Sequence, residues 1–173
     1  MKKTQIVLCS LIAIMAFSFT TCEAITPVSA DALDNTPLNA YRLIEEGDMM
    51  LDAFIQEINE AIRLEPNDVS GYLNRSYLHF YRGRYDLAIE DLNKCMELSP
   101  GDAHDLYIYY RGFNYFHNGD YDLAIADYSV LLKNIHNNGI LYYSRGEAYK
   151  KKGDMIKAEA DFARAKELGI ALQ

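Results

Sequence analysis

The side chains in this chain that could do covalent or metal chemistry are few, and their spacing argues against such use. His79, His104, His117 and His136 show no H-E-x-x-H or comparable spacing, which a helix-borne metal site needs to bring its ligands to one face. No Gly-rich phosphate loop and no G-x-S-x-G turn is present. Glu45-Glu46 and Glu90-Asp91 read as solvated or bridging helix charges. Cys95 falls where a packed helix wants a small residue, so it reads as a structural thiol. The expectation is therefore no catalysis, no metal and no cofactor. What recurs instead is a charge pair. Arg75, Arg111 and Arg145 are each followed 16 residues later by an acid, Asp91, Asp127 and Asp161. A guanidinium and a carboxylate held at helix–helix positions form a two-pronged bridge, within one unit or to the next. The other reading is three solvated arginines with their stems laid on the surface. The 14 Tyr and 7 Phe, with no Trp, offer contact area for recognition rather than reaction chemistry.

Composition sets the frame for those residues. Of 173 residues, 50% are hydrophobic and 24% charged, which is enough apolar material for a packed core. The formal charge of −8 and a pI near 4.9 speak against nucleic acid as the main partner, because phosphate binding needs a basic face.

Lys2 and Lys3 precede an apolar run over residues 6–19. A membrane-spanning helix takes about 20 residues, so this shorter run reads as a secretory signal. Cys22-Glu23-Ala24 lies at the usual cleavage distance, whereas Val28-Ser29-Ala30 has the better small-x-small pattern further on. Cys22 directly follows the run and could instead carry a lipid, although Phe19-Thr20-Thr21 departs from the usual lipobox. The expectation is a signal peptide over 1–24, a flexible linker over 25–36, and a folded domain over 37–173. Export then leads to the periplasm or medium of a bacterium, with a lipoprotein anchored through Cys22 as the alternative. Membrane association is expected only through that signal or anchor.

The folded part is periodic. Gly83-Arg84-Tyr85-Asp86-Leu87-Ala88-Ile89-Glu90-Asp91 returns as Gly119-Asp120-Tyr121-Asp122-Leu123-Ala124-Ile125-Ala126-Asp127. A weaker copy opens at Gly153, so the glycines lie 36 and 34 residues apart. An eroded earlier copy supplies Phe54, Ile58, Ala61, Ile62 and Leu64, in phase with Ala88, Leu92, Cys95, Met96 and Leu98. Such a period with two helical halves marks a solenoid. Each glycine ends a first helix, where a left-handed backbone is wanted. Second helices are expected over 85–98, 121–134 and 155–168. Pro66 and Pro100 close two units, and His136 in the matching place predicts a looser turn. In the eroded unit Gly47 stands four residues before Leu51 rather than two, which predicts a short or displaced first helix.

These residues resemble the tetratricopeptide repeat, W-x2-L-G-x2-Y then A-x3-F then P. The matching places are Ser76, Gly112 and Gly146, then Tyr115 and Tyr149 (with His79 in the first clear copy). After them come Ala88 with Leu92, Ala124 with Tyr128 and Ala158 with Phe162. The resemblance implies an all-α solenoid of antiparallel helix pairs, a right-handed superhelix with three clear repeats and one degenerate N-terminal repeat. Leucine is the family's usual residue where the three arginines stand. On that basis Arg111→Leu is expected to be tolerated and Asp127→Ala to cost more. The last helix, with Lys157, Glu159, Arg164, Lys166 and Glu167, is polar enough to cap itself.

In this family first helices line a ligand groove. Carried over, the groove places are Leu73, Tyr77, Phe80 and Tyr81 in one unit, then Leu106, Tyr109, Phe113, Phe116 and His117. The last unit supplies Ile140, Tyr143, Glu147, Lys150 and Lys151. Tyr77, Phe113 and Glu147 stand where the carboxylate-clamp subclass has asparagines, so that mode is not expected. The implied role is a non-catalytic protein-binding scaffold of the bacterial envelope, taking an apolar peptide or protein segment with some acidic character. A glycan-binding or enzyme-accessory module that stacks sugars on the tyrosines is the reading from a different class.

Overall fold

In the computed structural model, residues 37–99, 101 and 103–171 are described. The expected signal peptide (1–24), its Cys22, and the linker (25–36) lie outside the described residues. Seven helices and no strand occur among the described residues: α1 (Pro37–Leu64), α2 (Val69–Tyr81), α3 (Tyr85–Leu98), α4 (His104–Asn118), α5 (Tyr121–Asn134), α6 (Gly139–Lys152) and α7 (Met155–Glu167).

Local chemistry sets their ends. The Asp68 carboxylate accepts from Ser70 N at the start of α2, and the Asn138 amide oxygen accepts from Ile140 N and Leu141 N at the start of α6. Gly119 and Gly153 stop α4 and α6 with φ of 92°, a backbone that a Cβ disfavours. The second helices α3, α5 and α7 fall where the periodicity puts them. One expectation fails: among the described residues the eroded unit has no separate first helix, because α1 runs unbroken through Gly47 as 28 residues. In the turn after α5 the His136 ring nitrogen donates to the Leu132 carbonyl at 2.9 Å.

From α2 to α7 each helix packs on the next. Within a pair, Ala88, Ala124 and Ala158 are fully buried at the seam, so the backbones come close. Gly112 and Gly146 serve the same approach from the first helices. A Cβ at Gly112 would stand 3.0 Å from the Tyr128 ring, and one at Gly146 would stand 2.8 Å from the Phe162 ring.

The arginine–aspartate pairs form, and they form within each unit. Arg75 grips Asp91 through Nε and Nη2 at 2.9 and 2.6 Å. Arg111 holds Asp127 at 2.8 and 2.7 Å, and Arg145 holds Asp161 at 2.8 Å on both prongs. The remaining Nη1 reaches back to the preceding unit, donating to Asn59, Asn93 and Ser129. One guanidinium therefore fixes both the pair and the stack, and the solvated reading is excluded.

Each second helix offers the following unit four places. One is an acid: Asp52, Asp86 and Asp122 take Arg82, Asn118 and Lys152 from the end of the next first helix. A turn on is an isoleucine, Ile55, Ile89 or Ile125, packed in the core. Then comes the acceptor for Nη1, and last an apolar residue, Ile62, Met96 or Leu132.

Candidate groove on the first helices

Aromatic side chains on α2 and α4 meet because the two helices belong to consecutive units, with Phe80 reaching Phe113, the counterpart of Tyr77 one turn earlier. The Phe80 and Phe113 ring centroids lie 5.1 Å apart. His117, one helical turn beyond Phe113, sits 4.5 Å from that ring and 5.2 Å from Phe80. Tyr85, at the start of α3, stacks on His117 at 5.7 Å. Phe116 closes the group against His117 and Tyr121. Covering of the His117 ring by these neighbours pushes its pKa down, so the imidazole is neutral near pH 7. Nearer the other end of the same helices, the Tyr77 and Tyr110 rings meet edge to face at 5.1 Å, and Tyr109 touches Tyr110 and Tyr128. Burial raises the pKa of the Tyr77 hydroxyl, which keeps its proton as a donor.

The fourteen sequence-derived groove residues thus divide: Leu73 packs against the Leu92, Cys95 and Tyr107 core, while Leu106 and Ile140 are exposed. Phe80, Phe113, Phe116 and His117 form one cluster, while Tyr77 and Tyr109 are linked through Tyr110. Tyr81 leans its edge on Phe80 and is 69% exposed. In the last unit Tyr143 lies 5.8 Å from Phe162, and Lys150 sits over that same ring and 3.7 Å from Glu147. Lys151 is exposed. Sequence reasoning missed Tyr85, Tyr110 and Tyr121. Tyr85 and Tyr121 belong to helix starts, and Tyr110 stands on the same face of α4 as Leu106, Phe113 and His117, where the register of neighbouring units brings it to Tyr77. The signal was available: Tyr85 and Tyr121 recur at one repeat position.

Other titratable groups are structural. Burial pushes the Cys95 thiol up to about 12, and its Sγ lies 3.8 Å from the Val69 carbonyl. His79 is buried with Nε2 3.9 Å from Asp91, and its pKa is lowered, first of all by burial. Among the described residues no group of three or more His, Cys, Asp or Glu could hold a metal ion.

Sequence and structure comparisons agree with this architecture. The family described as Tetratricopeptide repeat matches residues 69–102 and 140–168. A 51-residue stretch is 33% identical to the human Protein SGT1 homolog, covering 30% of this chain and 14% of that protein. The bovine homolog matches equally, over 15% of its length, so the chain spans about one seventh of these curated relatives. Among solved structures, MamA (residues 41 to the end) from Desulfovibrio magneticus RS-1 is similar, with a TM-score of 0.62 and 21% identity over 76% of this chain and 75% of that one. The first TPR of Spaghetti (RPAP3), bound to an HSP90 peptide, superposes with a TM-score of 0.52 and 23% identity, covering 58% of this chain and 79% of that one. At such identities the likeness is one of fold.

Proposed function

We propose, for a chain that belongs to the tetratricopeptide-repeat family, the role of a non-catalytic scaffold that captures a peptide or protein segment along its first helices. The observation that carries this reading is the aromatic cluster of Phe80, Phe113, Phe116 and His117. It joins two consecutive first helices, with its rings half-buried and His117 exposed. Rings already packed on one another present a rigid apolar face, and ordering them further on binding costs little entropy. A structure of the same fold holds a bound peptide, which supports a peptide as the kind of ligand. Lys150 and Lys151 at the far end favour some acidic character in it.

The test is capture of partners from envelope extract by the wild-type chain and by Phe113→Ala and Tyr109→Ala. Central aromatic anchors cost roughly 2 kcal/mol or more when truncated, so capture should be lost while the far-ultraviolet circular dichroism stays at the wild-type level. Capture unchanged in both variants would sink the groove. A Lys151→Glu change should alter mainly on-rate and salt dependence.

Export to the bacterial envelope completes the proposal, motivated by Lys2-Lys3 and the apolar run that follows. N-terminal sequencing and mass analysis of the exported protein should find a start at Ile25 or Asp31, or an acylated Cys22. Intact Met1 in a folded cytoplasmic pool would overturn it.

A further inference from the structure

The outward face of α7 departs from the other second helices at all four places that receive a following unit. The acid becomes Ile156, the isoleucine becomes Glu159, the polar acceptor becomes Ala163 and the last apolar residue becomes Lys166. All four are exposed, and Ile156, at 84%, is the most exposed large hydrophobic residue among those described. Contact with water explains Glu159 and Lys166. It does not explain Ile156 or Ala163, which put methyl groups where the other helices carry acceptors.

A second copy of the same helix explains all four. Glu159 and Lys166 have opposite charge and stand two helical turns apart on one face. Ala163 between them keeps the surface low, so another backbone can approach. We propose that α7 pairs antiparallel with α7 of a second copy about a two-fold axis beside Ala163. Bringing Glu159 opposite Lys166 of the second copy makes the same contact twice. It also sets Ile156 opposite Gly169, an exposed glycine with φ of 91° and open space where a Cβ would stand. Such an isologous contact closes on itself and stops at a dimer. The pairing face lies on a second helix and the groove on first helices, so each copy keeps its groove and the dimer binds a repeated ligand with two.

The experiment is sedimentation velocity on the full chain over a concentration series. Wild type should approach twice the monomer mass of 19.7 kDa as concentration rises. Glu159→Lys and Lys166→Glu each set like charges face to face twice, so each alone should weaken pairing about tenfold or more. Mixing the two variants restores opposite charges at both contacts and should restore the dimer, as should both changes in one chain. Ile156→Asp should weaken pairing with unchanged circular dichroism. A chain that stays monomeric throughout overturns the proposal. So does association indifferent to these changes, or failure of the two charge variants to pair when mixed.

Discussion

Asp127 is the more buried member of its pair, with a side chain 8% exposed against 24% for Arg111. Removing the arginine strands a carboxylate that is largely shielded from water. Removing the aspartate leaves a guanidinium that still donates to Asn93 and keeps an exposed edge. Arg111→Leu should therefore cost about 3 kcal/mol or more, the usual result of breaking a buried pair from one side. Asp127→Ala should cost on the order of 2 kcal/mol, as for lost charged hydrogen bonds. This reverses the ranking that the family's preference for leucine implies, because leucine suits that place only where no acid faces it. The double variant should recover most of the loss, and urea titrations of the three chains check the order. His79 makes a second case. It occupies the place of Tyr115 and Tyr149, over whose rings Arg111 and Arg145 lie 5.9 Å away. Its folded pKa is lowered by burial, so the unfolded chain takes up the proton first as pH falls. Stability is then complete above the ordinary histidine value of 6.5 and declines below it, until the folded pKa is passed. His117 adds a loss of the same sign. Replacing His79 with Tyr should flatten the decline between pH 7 and 5 in melting curves and leave only the His117 share. An unchanged slope would show that His79 is not its source.

At the scale of elements, α3, α5 and α7 were legible because Gly, the small seam alanine and the large residue after it repeat in phase. Glycine alone was a poor guide. The offset of Gly47 from Leu51 predicts a short or displaced first helix, yet an isolated glycine costs a helix only about 1 kcal/mol against alanine, and α1 runs through it. A Cβ at Gly47 meets nothing within 4 Å, so Gly47→Ala should raise stability by up to about 1 kcal/mol. At Gly146 the same change gains the same propensity but drives a methyl to 2.8 Å from the Phe162 ring and 3.3 Å from Asp161 Cβ. Overpacking of that kind costs about 1–3 kcal/mol, so Gly146→Ala should lower the melting temperature. Opposite signs at two helical glycines are the expected result, and equal shifts would contradict it. The groove was less legible than the helices. The family resemblance named candidate groove positions on α2, α4 and α6. It could not tell that Phe80, Phe113 and His117 touch, since that depends on how far one first helix slides past the next. That slide is set by contacts remote in sequence, such as Asp86 with Asn118 and Arg111 with Asn93.

Over the whole array from α2 to α7, every strong helix contact joins neighbours in sequence. Stability in such a stack is close to a sum of unit terms and nearest-neighbour interface terms, so damage is felt locally and fades with distance along the stack. The arginine rungs define how far it reaches. Arg145 ties α6 to α7 through Asp161 and back to α5 through Ser129, but has no link to α2 or α3. Strain from Gly146→Ala should therefore speed amide exchange in α6 and α7, less in α5, and leave α2 and α3 at wild-type rates. Arg111 sits at the middle of the stack, joining α4 to α5 through Asp127 and to α3 through Asn93. Its loss should loosen helices on both sides of α4. Native-state hydrogen exchange read helix by helix separates the two patterns. If Gly146→Ala instead lowers protection equally from α2 to α7, the array opens as one cooperative block, and the rungs carry coupling farther than their nearest neighbours.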